Sequence, residues 1–93
     1  MIFDESKMLK VFAYNAGKGD CIRLNYGDTH NIFIDTDTKR FAPKFKTLCY
    51  EINTDGQALD ILILTHVDED HIGGLLSLIS TGWKCPFKHP AVP

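Results

Sequence analysis

Between two apolar runs, Ile61-Leu62-Ile63-Leu64 and Leu75-Leu76-Ser77-Leu78-Ile79, the chain reads Thr65-His66-Val67-Asp68-Glu69-Asp70-His71-Ile72-Gly73-Gly74. Apolar runs of this kind must be buried, so they call for a strand before the polar stretch and a helix after it. Two imidazoles and three carboxylates fall within six residues of that loop. Nitrogen and oxygen donors of this type hold divalent transition metals. The spacing His-x-Asp-x-Asp-His makes His66, Asp68, Asp70 and His71 four candidate ligands, and Gly73 and Gly74 let backbone approach closely. Each residue also has a plainer reading. Asp70 suits the N-cap of a helix starting near His71, Asp68 and Glu69 suit a solvated loop, and His66 suits a strand end. The joint pattern favours a metal site over those separate readings. A calcium loop counted from Asp68 fails, because Ile79 falls where a bidentate Glu is required.

Taken in order, residues 8–14 alternate, with Leu9, Val11 and Ala13 on one side and Met8, Phe12 and Tyr14 on the other. That period of two predicts a strand. Residues 15–20 make a turn, residues 21–26 a returning strand, and Gly27-Asp28-Thr29-His30 a second turn. Residues 31–35 form a third strand. Phe41, Phe45, Leu48, Cys49 and Ile52 then recur at helical spacing, with Pro43 tolerated in the first turn and Asn53-Thr54-Asp55-Gly56 as the stop. Residues 61–64 form a fourth strand whose unbroken apolarity predicts burial on both faces. Strand three, helix and strand four make a βαβ unit with parallel strands and a right-handed crossover. Residues 80–93, with three prolines and no period, read as an irregular tail.

This topology sorts the candidate residues. Parallel third and fourth strands deliver Asp35 and His66 to one sheet edge, and the turn carrying Lys18 and Asp20 reaches the same edge if the first three strands form a meander. Sites in sheets with parallel strands commonly lie beyond the carboxyl ends. His30 falls in a turn at the opposite edge and is excluded. Lys18 reads as part of a tight glycine turn, while Asp20, Asp35 and His89 stay open as contributors.

The loop resembles the metal-binding motif His-x-His-x-Asp-His of the metallo-β-lactamase superfamily, with Asp68 standing where the family has its second histidine. That variant is similar to the hydrolase domains of bacterial DNA-uptake (competence) proteins. The Gly-x-Gly-Asp turn at residues 17–20 and the strand ending Phe33-Ile34-Asp35-Thr36 look like the opening hairpins of the same superfamily, extending the similarity over residues 8–79. The resemblance implies an α/β fold, the N-terminal half of an αββα sandwich with a mixed sheet. It further implies two divalent metal ions, zinc first and manganese second, with His66 and Asp68 on one and Asp70 and His71 on the other. Asp70 would also serve as the catalytic residue that orients the attacking water, and Asp35 would support the metals. The expected activity is metal-dependent hydrolysis, of phosphodiesterase or nuclease type.

Length and charge bound that expectation. Ninety-three residues make one small domain, read here as a partial metallo-β-lactamase-like domain over residues 1–93. The family's later ligands fall beyond such a length, so the expectation is a truncated or split chain completed by a second half or by self-association. The sheet face away from the helices, with residues such as Phe12 or Phe33, would then form an apolar patch. A net charge of −2 gives no electrostatic footprint for nucleic acid or for an anionic membrane, although a metal site supplies local positive charge to a nucleic-acid substrate. No stretch reads as a transmembrane helix or signal peptide. Three cysteines without Cys-x-x-Cys spacing point to a reduced, cytoplasmic protein. The competing function, from another class, is a non-catalytic remnant or small interaction module that keeps the motif without the chemistry.

Overall fold

The structure is a computed structural model that describes residues 9–14, 20–65 and 69–91, the side chains at 69, 70, 90 and 91 excepted. Its elements in order are β1 (Leu9–Tyr14), β2 (Cys21–Tyr26), β3 (His30–Ile34), a 3-10 turn (Lys39–Phe41), α1 (Ala42–Thr54), β4 (Ala58–Ile63), α2 (Glu69–Ser80) and β5 (His89–Ala91). They build a mixed α/β fold around a single sheet of order β1-β2-β3-β4-β5. The first three strands form the expected antiparallel meander. β3 and β4 are parallel, with α1 as the crossover, and β4 and β5 are parallel in turn.

The helix in the first crossover forms for the reason its spacing gives. Ala42, Phe45, Leu48, Cys49 and Ile52 all face the core, and Pro43 occupies the first turn where no intrahelical N–H is lost. Its end is a Schellman closure. Gly56 at φ 76° donates to the Asn53 carbonyl at 3.1 Å, and Gln57 donates to that of Ile52 at 3.1 Å. α2 ends the same way at Gly82, whose φ of 90° lets Trp83 donate back to Leu78. That closure turns Trp83 onto the core, where its ring meets Phe45 edge-on.

The core lies between one sheet face and the two helices. Phe33 of β3 is fully buried and meets Phe45 at 5.5 Å and Phe87 at 5.6 Å between centroids, both edge-on. Truncating a buried Phe of this kind costs about 3–5 kcal/mol.

Several sequence expectations need correction here. The tail over 80–93 is not irregular throughout: Phe87 is a core residue, and β5 extends the sheet beside β4. A three-residue strand is too short to show a period, and Pro90 is tolerated there because an edge strand needs fewer ladder bonds. β4 starts at Ala58, earlier than expected, and is fully buried only on the helix side at Leu59 and Leu62. Its partners show why the period was obscured. The register with β3 shifts between Asn31 and Ile32, leaving Asp60 as an extra residue.

Phe12 and Phe33 also do not form the face opposite the helices. Phe12 lies across from Arg23, and Arg23 across from Phe33, so all three share the helix side. The opposite face is made by Leu9 and Val11, 60% and 61% exposed, with half-buried Ile22, Leu24, Ile32, Ile34, Ile61 and Ile63. An apolar face therefore exists, built from other residues than those named. No described helix packs on it. Among the described residues no helix is long and apolar enough to cross a membrane.

Candidate metal centre

The carboxyl ends of β3 and β4 meet the start of α2, and the contacts there are polar and dense. Asp35, immediately after β3, is buried, with a φ of 62°. Aspartate is among the few residues with side chains that enter this left-handed region at modest cost. In that conformation its carboxylate turns toward β4 and α2. Oδ1 accepts the Thr65 backbone N–H at 2.8 Å, and Oδ2 accepts the Thr65 hydroxyl at 2.6 Å. Oδ2 also lies 2.9 Å from His71 Nδ1. One carboxylate thus gathers the strand end before the polar loop and the imidazole after it.

Thr36 and Asp37 seat the helix. The Thr36 N–H and hydroxyl both donate to the His71 carbonyl, at 2.6 and 3.1 Å. The same hydroxyl accepts the Leu75 N–H at 3.0 Å, and Gly74 donates to the Asp37 carbonyl at 3.0 Å. α2 therefore lies directly on the 35–37 backbone. A Cβ at Gly74 would overlap the Thr36 carbonyl oxygen, so this position needs glycine. Asp37, fully buried at φ 60°, donates its N–H to the Asp20 carbonyl at 2.8 Å. The Asp20 side chain is exposed, with Oδ2 3.9 Å from His71 Nδ1. The described ends of the three segments expected at one edge, Asp20, Asp35 and Thr65 with His71, do meet there.

His71 is the third residue of α2 and is oriented by Asp35. Asp70 is the second residue of that helix, its side chain lying outside the description. His66 and Asp68 lie outside the described residues, as does Lys18. His30 sits at the opposite end of the sheet, where Nδ1 lies 2.8 Å from Asp60. His89 opens β5 opposite Ile61 and is exposed. Among the described residues, no group of three or more His, Cys, Asp or Glu side chains is arranged to hold a metal ion. Thr36, Asp37 and Thr65 were not singled out from sequence. The only sequence signal for them was Asp35-Thr36-Asp37 directly after an apolar strand, a segment with two Asp residues that tolerate positive φ.

The donor chemistry fits a metal. A ligating histidine typically gives its second ring nitrogen to a carboxylate, which fixes the tautomer and aims the other nitrogen. Asp35 engages Nδ1 of His71, so coordination by this ring would use Nε2. Nearby Cys21 does not offer a competing nucleophile. Burial pushes its thiol well above the ordinary range, and Asp37, Cys49 and Asp35 push it the same way.

A family model described as the metallo-beta-lactamase superfamily matches residues 15–92. Comparison with curated proteins and with solved structures finds no match in either. The match covers β2 through β5, and with them Asp35 and the start of α2, which meet at this sheet edge. The chain belongs to the metallo-beta-lactamase superfamily.

Proposed function

We infer that the chain carries the metal-binding loop of a metal-dependent hydrolase acting on phosphodiester or related bonds, in the His-x-Asp-x-Asp-His manner of the DNA-uptake protein hydrolases. The observation behind this is the Asp35–His71 pair at 2.9 Å, a carboxylate holding the imidazole of the motif. Superfamily membership adds the general expectation of divalent metal, usually zinc.

In this reading His66 and Asp68 hold one metal, and Asp70 and His71 hold the other. Asp68 in place of histidine makes the first site harder, which favours manganese beside zinc. A divalent metal held there would activate water near neutral pH and polarise the scissile bond. The protein's own contribution is orientation. Asp35 fixes the His71 ring, Thr36 fixes the His71 carbonyl, and Asp70 directs the attacking water. The exposed apolar face through Leu9, Val11 and Leu24 calls for a second layer, from a completing half or from another copy. Cys21, Cys49 and Cys85 are free thiols, in keeping with a reducing cytoplasm.

The test is metal content and turnover of an activated phosphodiester, comparing wild type with His66→Ala/His71→Ala and with Asp70→Asn. Metal bound by wild type and lost from the double variant, with Asp70→Asn losing turnover, supports the reading. Equal metal content in all three sinks it. The same apolar face favours the second reading, an interaction module without turnover. A chain that binds partners through it but takes up neither zinc nor manganese would establish that module.

A further inference from the structure

Away from the metal centre, α1 and the turn before it carry the densest positive charge of the described chain. Lys39, Arg40, Lys44 and Lys46 fall within eight residues, and no acid occurs between Thr38 and Tyr50. All four are exposed. Arg40, Lys44 and Lys46 have no ion-pair partner among the described residues. Surfaces without a charged partner normally intersperse the two signs. The only carboxylate on α1 is Glu51, about 100° around the helix from Tyr50.

The same helix forms one wall of an open cleft of about 190 Å³, lined by Lys46, Cys49, Tyr50, Asn53, Trp83 and Pro86. No carboxylate lines it. Tyr50 is 72% exposed, a large ring with no part in the core. Trp83 is held by the Gly82 closure and by Phe45 at 6.1 Å, so its ring is fixed before any ligand arrives. A cation, two aromatic rings and an amide around a carboxylate-free cleft make the combination that binds single-stranded nucleic acid without sequence preference. A peptide ligand would find no backbone edge here to pair with, because both walls are a helix and a loop.

The cleft also has a direction. Lys39 and Arg40 follow directly on Asp37 and Thr38, at the sheet edge that carries His71. From there to Tyr50 is on the order of 16 Å along the helix. We propose that this flank binds a single-stranded nucleic acid, with a base stacked on Tyr50 beside Trp83, a phosphate on Lys46, and the strand led along Arg40 toward the metal centre. Binding itself is independent of the hydrolase reading. Only the idea that the bound strand is the substrate rests on it.

Trp83 is the only tryptophan in the chain, so its fluorescence reports the cleft directly. The probe is an oligothymidylate 20-mer, titrated at low salt in EDTA so that no metal takes part. Quenching is expected, with Tyr50→Ala and Lys46→Ala each weakening binding about fivefold or more. Lys46→Ala should also lower the salt slope by about 0.7. Both side chains are exposed, and circular dichroism checks that the variants fold. Inorganic polyphosphate, which has charge but no bases, should not quench. Absence of quenching, equal quenching by polyphosphate, or wild-type affinity in both variants overturns the proposal. Metal content is assayed separately, so a wild type that takes up no metal yet still shows quenching by the oligonucleotide would fault the hydrolase reading alone.

Discussion

Asp35 Oδ2 lies 2.9 Å from His71 Nδ1 while its other oxygen holds the Thr65 backbone, so one carboxylate spans the polar loop from end to end. Asp35→Asn keeps the shape and tolerates the positive φ, and it removes the charge that fixes the His71 tautomer. Metal affinity measured by chelator competition should fall about 10–100-fold, with little change in far-UV circular dichroism. Unchanged affinity would mean that His71 needs no orienting partner.

Gly74 crosses the Thr36 carbonyl at a distance that leaves no room for a methyl group. The neighbour is backbone, fixed by the Thr36 N–H bond to the His71 carbonyl, and the Thr36 hydroxyl is tied to the Leu75 N–H, so it cannot yield cheaply. Gly74→Ala should destabilise the fold by about 1–3 kcal/mol, despite the better helix propensity of alanine. Urea denaturation would show a lower midpoint with the same slope. A stabilised variant would show that α2 can lift from the loop at no cost.

The sequence made the site edge readable because strand ends and turn residues leave local signals. The order of strands alone brought Asp20, Asp35 and the polar loop to one edge and sent His30 to the other, where it pairs with Asp60. Conformation was less accessible. Nothing in Asp35-Thr36-Asp37 states that two of three residues adopt left-handed backbone, and that geometry is what makes Asp37 part of the site. Facing was ambiguous too, since Ile32, Phe33 and Ile34 are all apolar and alternation cannot say which side meets the helices. β5 escaped because its place is set by Phe87 filling the space against Phe33 and Phe45, a tertiary fact without a local pattern.

The face through Leu9, Val11 and Leu24 should drive association. Val11→Lys places a charge at a position already 61% exposed, so the monomer should lose less than about 0.5 kcal/mol. Sedimentation velocity should show concentration-dependent association of the wild type that this substitution suppresses. A wild type that stays monomeric at high concentration, with no partner captured, would mean that the face is covered from within the chain.

The thiols give a pH prediction with a definite sign. Burial pushes Cys49 up to about 12, and the Cys85 thiol adds to the shift. An unfolded cysteine titrates near 8.5, so above that pH the unfolded chain releases a proton that the folded chain keeps. Unfolding then becomes easier as pH rises, by at most about 1.4 kcal/mol per unit for this one group, until the folded thiol itself ionises. Below about pH 8 both states are protonated and the slope from Cys49 vanishes. Urea unfolding between pH 7 and 10 should therefore show stability falling with pH, and Cys49→Ala should have a shallower fall. Thiol chemistry should agree. Cys85 is half-buried and should react with a disulfide reagent in the native state, whereas Cys21 and Cys49 should wait for unfolding. A pH slope identical in wild type and Cys49→Ala would show that the buried thiol ionises as readily folded as unfolded.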